Sequence, residues 1–523
     1  MSFHNSINMR AANRVALNTS VLYLRMLITT GITLYTTRVV LNALGSTDYG
    51  LFNLVAGIVL MLSFLNTTMA SSTQRFLSFA QGTEDLVRQK RVFSNSLLLH
   101  LGIGIVLVLG LEIAGLFLFN GTLNIPANRL AATQFVYHFM ALTVFFNVIV
   151  VPFNGVLIAH ENMVWVAIVN IIETLLKLGI ALLLSVVAYD KLMVYGGLMA
   201  LVSIVSFLLY AAYCLKKYDS CSLIGVKANS DKALLKELTS FAGWNLFGTL
   251  SGLGRAQGVA VLLNIFLGAV VNAAYGIANQ VATQLNFFSA TLLRALNPQI
   301  MKSEGANDRA RMLRLAMMAS KFGFFLLAVI AIPACFEMKT ILKIWLKNVP
   351  PNTVIFCQLI LVATLFNQLT VGLQSAAQAI GDIKYYQIVV GSTLLLNLPI
   401  AYLLLTFKYP VYSVIISYAG IELIAGGLRL YFVKHLGGLS IRLYLSRVIG
   451  REVAPTAIAV LTGFLLMKSI HHPYRFLISA PINGLVFVLS VYFFGLCKDE
   501  KELLNGFIKR VKNTLSVKFA NRN

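Results

Sequence analysis

An all-α, polytopic membrane protein is the expected fold, and three observations lead there. Hydrophobic residues make up 58% of the 523-residue chain and charged residues only 12%, with a mean hydropathy of +0.79. Globular chains carry roughly 45–50% apolar and about 25% charged residues. Windows of about 20 apolar residues recur along the whole length, each long enough to cross a hydrocarbon layer of about 30 Å. These runs are continuous rather than alternating, which favours helices over barrel strands as the way to satisfy the backbone in lipid.

About 14 spans follow, near 19–43, 49–79, 94–119, 132–158, 163–188, 193–215 and 241–267, then 273–300, 315–337, 353–379, 384–406, 409–433, 453–470 and 475–496. Residues 1–18 are polar and the first apolar run is long enough to span, so no cleavable leader is expected. The longest break, LKKYDSCSLIGVKANSDKALLKEL at 215–238, is basic and divides six spans from eight. That suggests lobes at 1–217 and 218–436, with two added spans and a tail at 437–523. In the tail, Leu504, Phe507, Ile508, Val511 and Leu515 share one helical face, a pattern suited to the membrane interface or to packing on inside loops.

The net charge of +23 raises a nucleic-acid reading, which the positions of the bases dismiss. Counted from an inside N-terminus, most of the 42 Lys and Arg fall in inside loops and tails, as the positive-inside rule requires. Both termini are therefore placed on the cytoplasmic side, with anionic lipid headgroups as the ordinary partner of the basic loops. The five cysteines show no CxxC or other ligand spacing, so neither a disulfide framework nor a zinc site is expected. No cofactor or metal motif is present in the sequence.

An internal repeat organises the chain. LGSTDYGLFNLVAGIVLMLSFLNTTMASSTQR begins at Leu44 and LGAVVNAAYGIANQVATQLNFFSATLLRALNPQ at Leu267. Each reads Leu-Gly, a short gap, Tyr-Gly, a long polar-studded helix and an arginine near its inner end. Spans one to six and seven to twelve then form two halves of the same orientation, related by an axis along the membrane normal, with two extra helices.

Charges within spans single out candidate functional residues, because each costs roughly 2.5–3.5 kcal/mol at a helix centre and needs a cavity or a partner. Lys321, Arg429 and Lys468 lie near span ends, where long side chains snorkel. Glu173 and Lys177 are one turn apart in the favourable order and can neutralise each other. That leaves Arg25, Arg38, Arg75, Arg255 and Arg294, with Glu112, Glu173 and Glu422 as the acids in spans. If the halves face each other, these arginines would frame a central cavity of excess positive charge. Thr68, Ser71, Ser72 and Arg75 fall within about 100° on one helix face, a hydroxylated stripe that suits either a wet, anion-attracting wall or tight helix packing. Arg25 and Arg38 are about 140° apart around a straight helix, so both share a face only if Gly31 bends the span. Gln280, with Asn279, could bond sugars or phosphate, or act as interhelical glue. Guanidinium groups bind phosphate through two oxygens at once, so a phosphate-bearing amphiphile moved by alternating access is the expected cargo.

The stretches YTTRVVLNALGSTDYGLFNLVAGIVLMLSFLNTTMASSTQRFLSF, VPFNGVLIAHENM and YGIANQ…LNPQIMKSEG resemble the polysaccharide-transport branch of the multidrug/oligosaccharidyl-lipid/polysaccharide exporter superfamily, and within it the Wzx-type O-antigen flippases. The resemblance runs over most of the chain. It implies a two-lobed, V-shaped bundle in the bacterial inner membrane that carries an undecaprenyl-pyrophosphate-linked oligosaccharide. It also implies a cationic central cavity, for which Arg25, Arg75, Arg255 and Arg294 are the matching positions here. An H+ or Na+ gradient or the membrane potential is the implied driving force, with Glu173, Lys177 and Glu422 as the deep titratable groups, and other polysaccharide-assembly membrane proteins are implied partners. The lipid II flippase branch shares the span count and the basic cavity. Drug exporters of the superfamily often place an acid in an early span, where this chain has only Asp48 at the outer end. Membrane polymerases and ligases use the same lipid-linked sugars but carry large outer loops with catalytic groups. Here the outer loops are short and nearly acid-free, and no catalytic residue is assigned.

Overall fold

The computed structural model describes residues 2–502 apart from 61–62, 123–124, 223–225, 227–230, 347, 471 and 473. The amphipathic tail and part of the basic linker therefore lie outside the described residues. All regular structure among those described is helical: α1 Ser2–Leu60, α2 Ser63–Gly82, α3 Leu86–Phe117, α4 Leu130–Ile149, α5 Val151–Ala159, α6 Met163–Leu183 and α7 Lys191–Lys217. There follow α8 Lys232–Leu267, α9 Ala269–Gly305, α10 Arg309–Leu346, α11 Thr353–Gln368, α12 Val371–Ile380, α13 Lys384–Leu395 and α14 Asn397–Thr406. The last are α15 Tyr412–Gly437, α16 Ile441–Tyr444, α17 Gly450–Ser469 and α18 Phe476–Ser490.

Eleven helical segments among the described residues are long and apolar enough to cross a membrane, against the 14 spans expected. The three spans that do not qualify are 19–43, 49–79 and 273–300. They fall in α1, α2 and α9, which carry Arg25, Arg38, the Thr68–Arg75 stripe and the polar run from Asn272 to Arg294, and the second also crosses residues 61–62.

The chain forms two compact units. Of the described residues, the first contains those of 14–249 and 297–308, and the second those of 2–13, 250–296 and 309–502. Each therefore owns part of α8 and part of α9. In the first unit the core gathers Val136, Tyr137, Ala141 and Val144 of α4 against Leu192 and Val202 of α7 and Val40 and Val55 of α1. In the second it gathers Leu327, Ala328 and Ala331 of α10 with Ile360 and Leu361 of α11 and Val414 and Ile415 of α15. Burial ranks the helices. The window in Ala127–Ala159 is 61% buried and that in Arg309–Leu346 is 67% buried, whereas the α3 window is 17% buried and turns Val106, Leu109 and Phe117 outward. The former are the central helices of their units, and α3 presents the apolar surface that lipid tails require.

The Leu-Gly pair of the repeat has a local structural cause. Gly45 takes φ 76°, ψ 170° and is the non-helical residue inside α1, and Gly268 takes φ 82° between α8 and α9. A Cβ at either glycine would meet nothing within 4 Å, so the backbone angle and not space demands glycine. The non-helical angles within α1 fall at Gly45 and not at Gly31, where a bend would have let Arg25 and Arg38 share a face.

Candidate functional site

In the first unit the hydroxylated stripe of α2 lies against α8, antiparallel, in a ladder of matched turns. Thr68 Oγ1 donates to Thr249 Oγ1 at 3.4 Å and Asn245 Nδ2 donates to Ser71 Oγ at 3.3 Å. One turn further, Phe76 meets Phe241 edge-on at 5.6 Å, and Arg75 Nη1 lies 3.9 Å from the Glu237 carboxylate. Residues 237, 241, 245 and 249 are spaced by four, so they form one face of α8. Ser71 also donates to the Thr68 carbonyl at 2.8 Å, and Ser72 Oγ is buried with no hydrogen-bond partner among the described residues. The Arg75 guanidinium is 4.5 Å from the Phe76 ring centre and 5.2 Å from those of Phe79 and Phe241. Aromatic faces thus do for this buried cation much of what solvent would otherwise do. Arg25 is half-buried on α1 and Arg38 is exposed on the same helix.

The second unit holds a tighter arrangement. Glu422 of α15 accepts from Arg255 Nη2 of α8 at 2.9 Å, from Arg429 Nη2 at 3.0 Å and from Asn367 Nδ2 of α11 at 2.5 Å. Arg255 Nη2 also donates to the Tyr418 hydroxyl at 2.9 Å, with the guanidinium 3.7 Å from the centre of that ring. Arg429 Nη1 donates to Thr370 Oγ1 at 3.1 Å. Arg255, Glu422 and Arg429 are all at least nine-tenths buried. Two guanidinium groups share one carboxylate, which leaves one positive charge in excess. Arg255 Nε and Nη1 are buried and without a hydrogen-bond partner among the described residues.

Two expectations change as a result. Arg255 is not an isolated cation, because Glu422 meets it. Nor do Arg429 and Lys321 snorkel: Arg429 is buried on Glu422, and Lys321 is buried with its ammonium 2.5 Å from Glu500 Oε2. Only Lys468, exposed in the last turn of α17, behaves as a span-end lysine. Glu422 and Arg429 are seven residues apart, two turns of one helix. That spacing was readable in the sequence, but the second arginine comes from α8 and required the fold.

Arg294 and Gln280 are both exposed on α9, about 40° apart around the helix. Glu173 and Lys177 form the expected pair at 2.6 Å, half-exposed.

Other charged clusters escaped the sequence. In the first unit, Glu161 lies in the link between α5 and α6 at φ 59°, where it accepts from Lys302 Nζ at 2.8 Å and Gln299 Nε2 at 2.7 Å. Both donors come from the end of α9. That end packs backbone to backbone on α2, since a Cβ at Gly305 would lie 2.2 Å from the Phe79 carbonyl and one at Gly82 2.2 Å from the Lys302 carbonyl. Beside Glu161, burial holds the His160 imidazole below its usual range, and the nearby Lys302 charge acts in the same sense, against an opposing bond to Val156. At the other end of the same unit, Arg129 bridges Asp48 and Asp190, with 2.6 Å from Nη1 to Asp190 Oδ2. Burial works to raise the Asp190 carboxyl, but the Arg129 hydrogen bond and the α7 N-cap bonds from Met193 and Leu192 hold it below its usual range. In the second unit, Arg475 and Ser479 both donate to Glu337, at 2.8 and 2.7 Å. The Asp190 N-cap was the one local sign, since Asp before an apolar run starts helices. The rest pair residues far apart in sequence.

A model of the family described as polysaccharide biosynthesis protein matches residues 15–304, more than half of the chain. The chain belongs to the polysaccharide biosynthesis protein family. No curated protein sequence matches it. Among solved structures, this family member is similar to MATE in the bent conformation, with a TM-score of 0.72, 12% identity, and 82% of this chain and 96% of that chain covered. It is similar to MATE in the straight conformation at 0.69 and 14% identity, over 82% of this chain and 97% of that one. A third is a MOP superfamily transporter from Pyrococcus furiosus whose binding pocket is described as of reverse polarity, suggesting a different function (TM-score 0.68, 14% identity, 82% and 95% covered). At these identities the likeness establishes the fold: a multi-pass membrane protein on the framework of MOP superfamily transporters.

Proposed function

We propose that this polysaccharide biosynthesis protein is a flippase that carries a lipid-linked oligosaccharide from the cytoplasmic to the opposite leaflet of a bacterial inner membrane by alternating access. The carrier lipid is undecaprenyl pyrophosphate, the repeat unit that of an O-antigen or other surface polysaccharide, and both termini are cytoplasmic. The observation that carries this reading is the Arg255–Glu422–Arg429 cluster, a buried excess of positive charge in which Arg255 keeps two donors unmet. A diphosphate supplies the acceptors and the negative charge that such a group lacks, and guanidinium binds it through two oxygens. Arg75 and the half-buried Arg25 in the first unit, and the exposed Arg294 and Gln280 in the second, supply further cationic and hydrogen-bonding groups; Ser71 and Ser72 lie on the Arg75 face of α2. Glu422, engaged by two arginines, acts as a counter-charge to the seat rather than as an open cation site.

The test is a leaflet-protection assay in proteoliposomes loaded with the lipid-linked oligosaccharide. Arg75→Ala and Arg255→Ala are expected to abolish translocation while the inserted protein level is kept. Wild-type rates in both would sink the reading. Deletion of the gene is expected to accumulate the lipid-linked sugar on the cytoplasmic leaflet.

A further inference from the structure

The helices that follow the repeat hold a carboxyl group that nothing above employs. Glu452 lies in the first turn of α17, 2% exposed, and both of its carboxyl oxygens are buried without a hydrogen-bond partner among the described residues. Thr456, one turn further on the same face, has its hydroxyl in the same condition. Between them Pro455 withholds the amide that would otherwise bond the Arg451 carbonyl. An ionised carboxylate without donors in a buried site is far more costly than a neutral acid. Glu452 is therefore a place where a proton binds, unless a cation reaches it.

One cation is at hand. Lys321 is 2% exposed on α10, the helix packed against α17, and Tyr444 of α16 is buried as well. Lys321 is engaged elsewhere: its ammonium donates to Glu500 Oε2 at 2.5 Å and lies 3.7 Å from Cys497 Sγ. Glu500 in turn accepts from the Cys497 amide at 2.8 Å, so the Lys321–Glu500 pair pins the turn that follows α18. The remaining charged and titratable groups around α17 have other partners. Tyr444 donates to the Leu369 carbonyl at 2.6 Å, Arg447 faces Asp499 at 3.8 Å, Arg451 donates to the Phe494 carbonyl at 3.2 Å, and Tyr492 lies under Lys501. α18 contributes no titratable side chain. Lys321 thus carries charge enough for one carboxylate, and Glu500 holds it.

We propose that Glu452 is a proton-binding site that exchanges Lys321 with Glu500. With its proton in place Glu452 is neutral, Lys321 belongs to Glu500, and the Cys497–Glu500 turn is held. When the Glu452 O–H bond breaks, the proton passes to water, the new carboxylate draws the Lys321 ammonium, and Glu500 is released together with its turn. The charge of the trio changes by the one proton lost. Its role in a transport cycle rests on the flippase reading, with the proton as coupling ion; the protonation and the exchange of partners do not, and are tested without transport.

The experiment uses the full-length protein in nanodiscs. Infrared difference spectra between wild type and Glu452→Gln at neutral pH are expected to show the C=O band of a protonated carboxylic acid, shifted in D2O and absent from the variant. The rate of Cys497 alkylation, read by mass of its peptide, is divided by the thiolate fraction titrated in each protein, since Lys321 lies 3.7 Å from Sγ, and then compared between variants at the same pH. At a pH where the wild-type carboxyl band has disappeared, Glu452→Gln, which cannot take Lys321 by charge, is expected to react at least tenfold more slowly than wild type. Glu500→Gln, which removes the held partner, is expected to react fast at every pH and supplies a second reading should Glu452→Gln fold poorly. An unchanged carboxyl band in Glu452→Gln, or equal Cys497 rates in all three proteins, overturns the proposal. Loss of translocation with the band and the rates as expected leaves the proton site standing and counts against the flippase reading alone.

Discussion

Arg75 in the first unit and Arg255 in the second are each a buried guanidinium on a transmembrane helix, against an aromatic ring and near a carboxylate. They solve the same problem differently. Arg75 is 7% exposed but its partner Glu237 is 53% exposed and 3.9 Å away, so the pair is screened and weak, and three phenylalanine rings surround the cation. Arg255 is equally buried, yet Glu422 is only 2% exposed, at 2.9 Å, and is shared with Arg429. The first site can change its surroundings at small cost. The second is a cooperative cluster in which each member compensates the others, and its value lies in holding charge in a fixed place.

The largest expected effect follows from that difference. Glu422→Ala leaves two guanidinium groups buried without an anion and should cost about 3–5 kcal/mol, read as a large fall in the thermal midpoint of the protein in detergent. A small change there would mean that the cluster is solvated after all, and the contrast would fail. Phe241→Leu removes one of the rings from Arg75 and should cost about 1–2 kcal/mol in the same measurement. Glu237→Gln should cost less than about 1 kcal/mol, since the lost pair is exposed on one side and long. An effect as large as that of Glu422→Ala would place both arginines in one class. The smallest effect is the one that acid removes. Asp190 has its carboxyl depressed in the fold, so its contribution is present above the unfolded value of 3.8 and is lost as pH falls through the folded one. Wild type and Asp190→Asn should therefore differ in thermal midpoint at neutral pH and converge only as the pH falls below 3.8 through the folded value.

Much of this architecture was legible before any coordinates, and the reason is specific. The helical, membrane-spanning class follows from apolar runs long enough to span, and the eleven qualifying helices fall where those runs lie. The Leu-Gly pairs at 44–45 and 267–268 marked real junctions, because a backbone with positive φ selects glycine whatever surrounds it. The Glu173–Lys177 pair was readable because one helical turn joins residues four apart. The charges themselves could be located but not matched. Reading Arg429 and Lys321 as span-end residues failed because depth along a helix says nothing about what faces it from another helix.

Composition, periodicity and backbone angle are properties of short stretches of chain, and they determined by themselves that this is a helical membrane protein with Leu-Gly junctions at 44–45 and 267–268 and arginines where lipid would not tolerate them alone. Which carboxylate each arginine meets was decided only in three dimensions: Glu422 joins α8 to α15 across 167 residues of sequence, counted from Arg255. A Coulomb interaction depends on distance through space and on the exclusion of water, and neither quantity exists in the chain until the helices pack.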